Sequence, residues 1–198
     1  MSKFAPDGFP RPTKNLEQNG KQTAILAGGC FWCTEAVFER LPGVSDVTSG
    51  YSGGDASTAN YEATCSGTTG HAEAIKVTYD ASQISYGELL RVFFAVAHDP
   101  THLNRQGNDR GPQYRSAIFY ETEEQRAIAA GYIEQLDAAG VYDDPIVTTL
   151  EPFDTFYEAE AYHQDYAQNN PAQPYVCAVA LPKVAKLEKM MMSEGAAK

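Results

Sequence analysis

No run of apolar residues in this chain approaches the roughly 20 needed to cross a bilayer, so the sequence carries no transmembrane segment. The first twenty residues are polar and contain prolines, and they lack the apolar core of a secretory leader. Basic residues are scarce: 15 Lys and Arg stand against 26 Asp and Glu, a net charge of -11. That balance disfavours a nucleic-acid phosphate backbone or an anionic membrane surface as partner. Four cysteines in 198 residues are too few for a disulfide scaffold. No internal repeat or low-complexity tract is present. What remains is an acidic globular chain, expected in the cytoplasm and as a monomer, long enough for one domain with a sizeable core.

Residues 1–20 read as an irregular N-terminal arm and 21–198 as a single catalytic domain that includes the C-terminal tail. β-Branched and aromatic content predicts strands at Thr23–Ala27, Val44–Tyr51, Ala74–Tyr79, Ser116–Tyr120 and Ile146–Leu150. Capping-box spacings predict helices starting at Ser85, Thr122 and Thr155. The first of these aligns Tyr86, Leu89, Leu90, Phe93, Phe94 and Ala97 on one face, and Gly140 is a natural stop for the second. The third is expected to run toward Asn169-Asn170-Pro171. From Pro182 to Met192 a short helix with weak packing signals is expected, ending in an exposed Met190–Met192 tail. Asp99 to Gln113, rich in Gly, Asn, Asp and Pro, reads as a long ordered loop of the kind that carries sites. Interspersed strands and helices imply a mixed α/β arrangement.

The chemistry concentrates at Gly29-Cys30-Phe31-Trp32-Cys33. An apolar strand and two glycines precede it, and a helix-like run to Leu41 follows. Cys30 is thereby placed at a helix N-terminus, where free N–H groups and the macrodipole favour a thiolate. Cys33 either resolves an oxidised Cys30 or packs on the helix. Zinc is opposed by the absence of a second ligand pair, and Pro100 breaks the His98-x-x-x-His102 spacing. Thioredoxin-like exchange is opposed by the bulky Phe31-Trp32 between the thiols. Phe31 and Trp32 beside a nucleophile can shape a pocket for an apolar, sulfur-bearing methyl group. Glu73, at a turn-to-strand boundary, would become a proton donor if buried beside aromatics. Tyr61 and Tyr114, taken alone among twelve tyrosines, read as structural.

Together these segments resemble the A-type peptide methionine sulfoxide reductases. The resemblance runs through Gly29-Cys30-Phe31-Trp32, Gly50-Tyr51-Ser52-Gly53-Gly54, Tyr61-Glu62, Gly67-Thr68-Thr69-Gly70-His71-Ala72-Glu73, Phe93-Phe94 to His98-Asp99-Pro100-Thr101, Arg105 to Gly111, Gln113-Tyr114-Arg115-Ser116 and Glu158 to Tyr166. It implies an α+β fold with a ferredoxin-like mixed sheet core, packed helices and extensive ordered loops. It also implies reduction of the S epimer of methionine sulfoxide, free or in oxidised proteins. Cys30 would be the nucleophile, Phe31 and Trp32 would hold the methyl group, and Glu73 would protonate the sulfoxide oxygen. Tyr61 and Tyr114 would hydrogen-bond that oxygen, and Asp109 would position the substrate or assist recycling. No metal or organic cofactor is implied, only thioredoxin or another dithiol as reductant. The chain departs from many relatives in having Cys33 where they have glycine, and in lacking a glycine-rich tail with further cysteines. Cys177, in a segment expected to be mobile, is placed ahead of Cys33 as the resolving thiol, with direct reduction of the sulfenic acid third. Cys65 matches a common family cysteine without an evident redox role.

Overall fold

A computed structural model of the chain describes residues 2–5 and 8–196. Strand β1, Lys21–Gly28, lies inside a six-stranded sheet, and its last five residues are buried on both faces. Alternate side chains of a strand point to opposite faces. Ala24 and Leu26 accordingly enter the main core, while Ile25 and Ala27 enter a smaller cluster with Ala72, Ala74, Ala117 and Phe119. Strands β2 (Val44–Ser52), β3 (Ala72–Asp80) and β6 (Ser116–Tyr120) complete the centre. The spatial order β6-β1-β3-β2 is antiparallel throughout. Helix α1 (Phe31–Phe38) links β1 to β2, and α3 (Tyr86–Val92) lies between β3 and β6, so two β-α-β units are each split by an antiparallel strand.

Both predicted central caps form. Ser85 accepts from the Glu88 amide at 3.2 Å, and Thr122 accepts from the Gln125 amide at 3.1 Å at the start of α4 (Glu123–Ala138). Gly140, at φ +60°, ends α4, with the Val141 amide donating to the Leu136 carbonyl. Helix α3 passes through a π turn, Phe93–Ala97, and all six predicted apolar positions on it are buried.

Three expectations are corrected. The helix predicted from Thr155 does not form there: Phe156–Glu158 is strand β8, paired antiparallel with the edge of β2. Aromatic and β-forming Phe156-Tyr157 satisfy an open edge that a helix would leave unpaired. Gly50 makes the pairing possible, because a Cβ there would lie 2.4 Å from Phe156 and from the Tyr157 carbonyl. A 3-10 turn follows at Ala161–His163, and α-helix appears only at α5, Tyr166–Asn169. The strand predicted over Ile146–Leu150 is shifted to β7, Thr149–Pro152, which pairs parallel with β6.

The tail is the third correction. Leu181–Ala196 forms helix α6, continuous with a π turn at Val176–Ala180. Val184, Leu187 and Met190, spaced by one turn, are buried in the main core, and only Met192 of the three methionines is fully exposed. Among its described residues the N-terminal arm has no α-helix or strand but is pinned: Phe9 is buried, its carbonyl accepts from Arg91, and the Pro10 carbonyl accepts from Tyr132. Among the described residues no helix is long and apolar enough to cross a membrane.

Candidate active site

Cys30 is the N-cap of α1, reached through Gly29 at φ +87°. A Cβ on Gly29 would lie 2.6 Å from Gln106, whose amide clamps the Asp99 backbone at both its N–H and carbonyl. That close approach brings the 99–113 loop against the nucleophile. Within the loop a two-residue turn opened by Gly107, at φ +58°, joins β4 (Arg105–Gln106) to β5 (Asp109–Arg110) and delivers Asp109. Glu73 comes from the second position of β3, on the face shared with Ile75 and Val77, and sits opposite Tyr51. Its carboxyl accepts the Phe31 amide at 3.0 Å, tying the acid to the start of α1. Tyr61 opens the short helix α2 (Tyr61–Cys65), and Tyr114 closes a 3-10 turn.

These elements converge on one cavity of about 200 Å³ lined by Cys30, Phe31, Trp32, Tyr61, Glu73, Asp109, Tyr114 and Tyr175. Every residue expected at the reductive step is there. Larger depressions of about 760, 500, 290 and 250 Å³ contain no cysteine, so chemistry rather than size identifies the site.

Burial dominates the electrostatics. Glu73 is 2 % exposed, and desolvation pushes its carboxyl up to about 8 despite the Phe31 hydrogen bond. It is therefore a neutral acid at pH 7. Burial also raises Tyr61 and Tyr114 well above the usual phenol range, which keeps both as donors. The thiols differ from the helix-terminus expectation. Burial, together with its hydrogen bond to Cys33, pushes Cys30 well up, and its sulfur makes no cap hydrogen bond. Cys33, accepting from Cys30, is lowered to about 7. Desolvation of Cys30 thus outweighs the helix end.

The aromatic wall has its own supports, which motif reading did not assign. The Trp32 indole donates to His163 Nδ1 at 3.1 Å and stacks on Tyr166 at 3.7 Å between centroids, 9° from parallel. With Nδ1 accepting, the His163 proton is on Nε2, which faces Glu160 at 3.9 Å. Glu160 also accepts from the Tyr51 hydroxyl and the Tyr61 amide, both at 2.9 Å. Tyr175 donates a short hydrogen bond to Asp109 and lies 3.9 Å from the Cys33 sulfur. In sequence, Tyr51, Glu160, His163 and Tyr166 lie within the matched segments Gly50–Gly54 and Glu158–Tyr166 without a role of their own, and Tyr175 lies outside every matched segment.

All four cysteines are free. Cys33 is buried and, like Cys177, is not among the residues lining the cavity, but its amide bonds the Cys30 carbonyl at 3.0 Å, an i to i+3 turn that keeps the two Cα atoms within about 7 Å. Cys177 is exposed, outside the cavity lining, in the ordered π turn, with its thiol donating to the Pro171 carbonyl at 3.1 Å. Among the described residues no group of three or more His, Cys, Asp or Glu is arranged to hold a metal ion.

The chain is 57 % identical over 169 residues to a peptide methionine sulfoxide reductase MsrA of Deinococcus radiodurans, covering 85 % of this chain and 82 % of that one. Its fold matches the crystal structure of reduced Mxr1 from Saccharomyces cerevisiae at a TM-score of 0.72 and 35 % identity, over 81 % of this chain and 91 % of that one. Mxr1 in complex with Trx2 matches at a TM-score of 0.50 and 26 % identity, over 78 % and 91 % of the two chains. The model of the family described as peptide methionine sulfoxide reductase matches residues 22–195, and the chain belongs to that family.

Proposed function

We propose that this enzyme reduces methionine S-sulfoxide, free or in proteins, with Cys30 as nucleophile and Glu73 as acid. The observation that carries the reading is a protonated, buried Glu73 and a thiol in one aromatic cavity. A sulfoxide sulfur is electrophilic, but its oxygen departs poorly unless protonated. Glu73 gives its proton to that oxygen as the Cys30 sulfur bonds to the substrate sulfur, with Tyr61 and Tyr114 donating to the same oxygen. The S–O bond then breaks as the protonated oxygen passes to Cys30, methionine leaves, and the original thiol proton returns to Glu73. The products are methionine and a Cys30 sulfenic acid.

Phe31 and Trp32 receive the methyl group, and the Asp109–Tyr175 pair borders the third substituent. A pyramidal sulfur with methyl, oxygen and attack direction all assigned accepts one epimer, which supports stereoselective reduction. For resolution the geometry favours Cys33 over Cys177. A disulfide needs Cα atoms about 4.4–6.8 Å apart, a window the Cys30–Cys33 turn supports, and Cys33 is the more acidic of the pair. Cys33 condenses with the sulfenic acid, releasing water, and a dithiol reduces the bond by exchange. The Mxr1–Trx2 complex supports thioredoxin as that dithiol. Separated sulfoxide epimers, offered one equivalent at a time with mass spectrometry of the resulting disulfide, test the reading. One methionine from the S epimer with a Cys30–Cys33 bond is expected. Turnover of the R epimer, or of a Cys30→Ser variant, refutes it.

A further inference from the structure

Glu35 lies outside the cavity and is not used by the reaction above, yet it is 1 % exposed and its carboxylate is fully engaged. One oxygen accepts the Ser49 hydroxyl at 2.9 Å, and the other accepts the Tyr166 amide at 3.3 Å. The Asp165 amide also donates to this carboxylate. Asp165 has φ +53°, a left-handed conformation unusual for a residue other than glycine, and Tyr166 follows as the first residue of α5. Successive amides of this kind form a concave nest that captures an anion. The nest is filled from α1, the same helix that carries Trp32. Gln164, just before the turn, is separately fixed to both backbone groups of Ser49 at 2.9 Å.

Resting on the sulfoxide-reductase reading, we infer that Glu35 is a positioning residue for substrate binding: by holding the Asp165–Tyr166 turn it sets the Tyr166 ring against Trp32, and so the wall that meets the substrate methyl. Trp32 and Glu35 sit three residues apart on one helix, so one rigid element carries both the indole and the group that holds the ring stacked on it. Without the carboxylate, the Asp165 and Tyr166 amides lose their shared acceptor and a left-handed residue loses its restraint. Relaxation of the turn takes Tyr166 with it.

Trp32 is the only tryptophan in the chain, so its emission reports the stack directly. Glu35→Leu, Glu35→Asp and Glu35→Gln are compared with the parent for Trp32 emission, unfolding midpoint, and KM and kcat on methionine sulfoxide. Glu35→Leu removes both acceptors. Glu35→Asp withdraws the carboxylate by one methylene and remains a usable test if the leucine variant does not fold. Both should shift Trp32 emission to the red and raise KM about tenfold with kcat changed far less, in keeping with the cost of a small misplacement. Glu35→Gln keeps an acceptor oxygen for the nest and turns its amide to Ser49, so it should restore parental emission and KM. A lowered midpoint with unchanged emission and KM in Glu35→Asp overturns the inference, because that pattern is structural support alone. Absence of turnover in the parent enzyme would instead refute the reductase reading, and the emission comparison would still decide the role of Glu35.

Discussion

Replacing Glu73 by Gln should slow the reductive step and, at neutral and higher pH, stabilise the fold. The native carboxyl is raised from 4.5 to about 8 by burial. A native state that holds the proton more tightly than the unfolded chain loses stability as pH rises between those two values. At about 1.4 kcal/mol per pK unit, the cost reaches about 3 kcal/mol by pH 7 and about 5 kcal/mol above pH 9. Gln avoids this cost and can still accept the Phe31 amide, which now bonds Glu73 at 3.0 Å. Its buried NH2 loses water without a partner, at about 1–3 kcal/mol. The variant should therefore be slightly less stable than the parent at pH 5 and more stable at pH 8–9. A gain of about 1 kcal/mol raises the unfolding midpoint by about 2–4 °C in a chain of this size. Single-turnover methionine formation should fall by about 10²–10⁴ at pH 7, the usual contribution of a positioned acid. The parent should show a descending limb above pH 8 that the variant lacks. Thermal unfolding from pH 5 to 9 and rapid-quench assays measure both. Parallel stability curves, or an unchanged single-turnover rate, would refute the argument.

Other outcomes follow from the same geometry. Cys30→Ser should consume no thiol on addition of methionine sulfoxide, read by thiol titration. Cys33→Ser should form one methionine per enzyme and then stall with thioredoxin as reductant, whereas Cys177→Ser should keep cycling; the reverse pattern would move the resolving role to Cys177. Gly50→Ala places a methyl group 2.4 Å from a backbone carbonyl that cannot swing away, and should cost about 1–3 kcal/mol in a denaturant titration.

Much of the site was readable because its chemistry is local. Cys30-Phe31-Trp32 occupies one helix start, and Glu73 one strand start, so side-chain type and element boundary together indicated nucleophile, wall and acid. The caps at Ser85 and Thr122 were equally legible, since each needs only a hydroxyl and an amide three residues on. Thr155 has the same spacing but starts no helix. The edge of β2 competes for that segment, and a ladder with Gly50–Ser52 satisfies more backbone than an isolated turn. The tail was underread because Val184, Leu187 and Met190 have no visible partner until α1 and α3 are assembled beneath them.

Residue identity alone determined that a thiol, a carboxyl and aromatic groups were available, and where the chain would turn to present them. Only tertiary structure decided their protonation. Cys30 stands at a helix N-terminus, yet burial and Cys33 push its proton affinity up, while Glu73, whose strand-start position left its burial open, becomes a neutral acid. The reason is that desolvation depends on what surrounds a group from every direction, and those surroundings come from strands, loops and helices far apart in the chain.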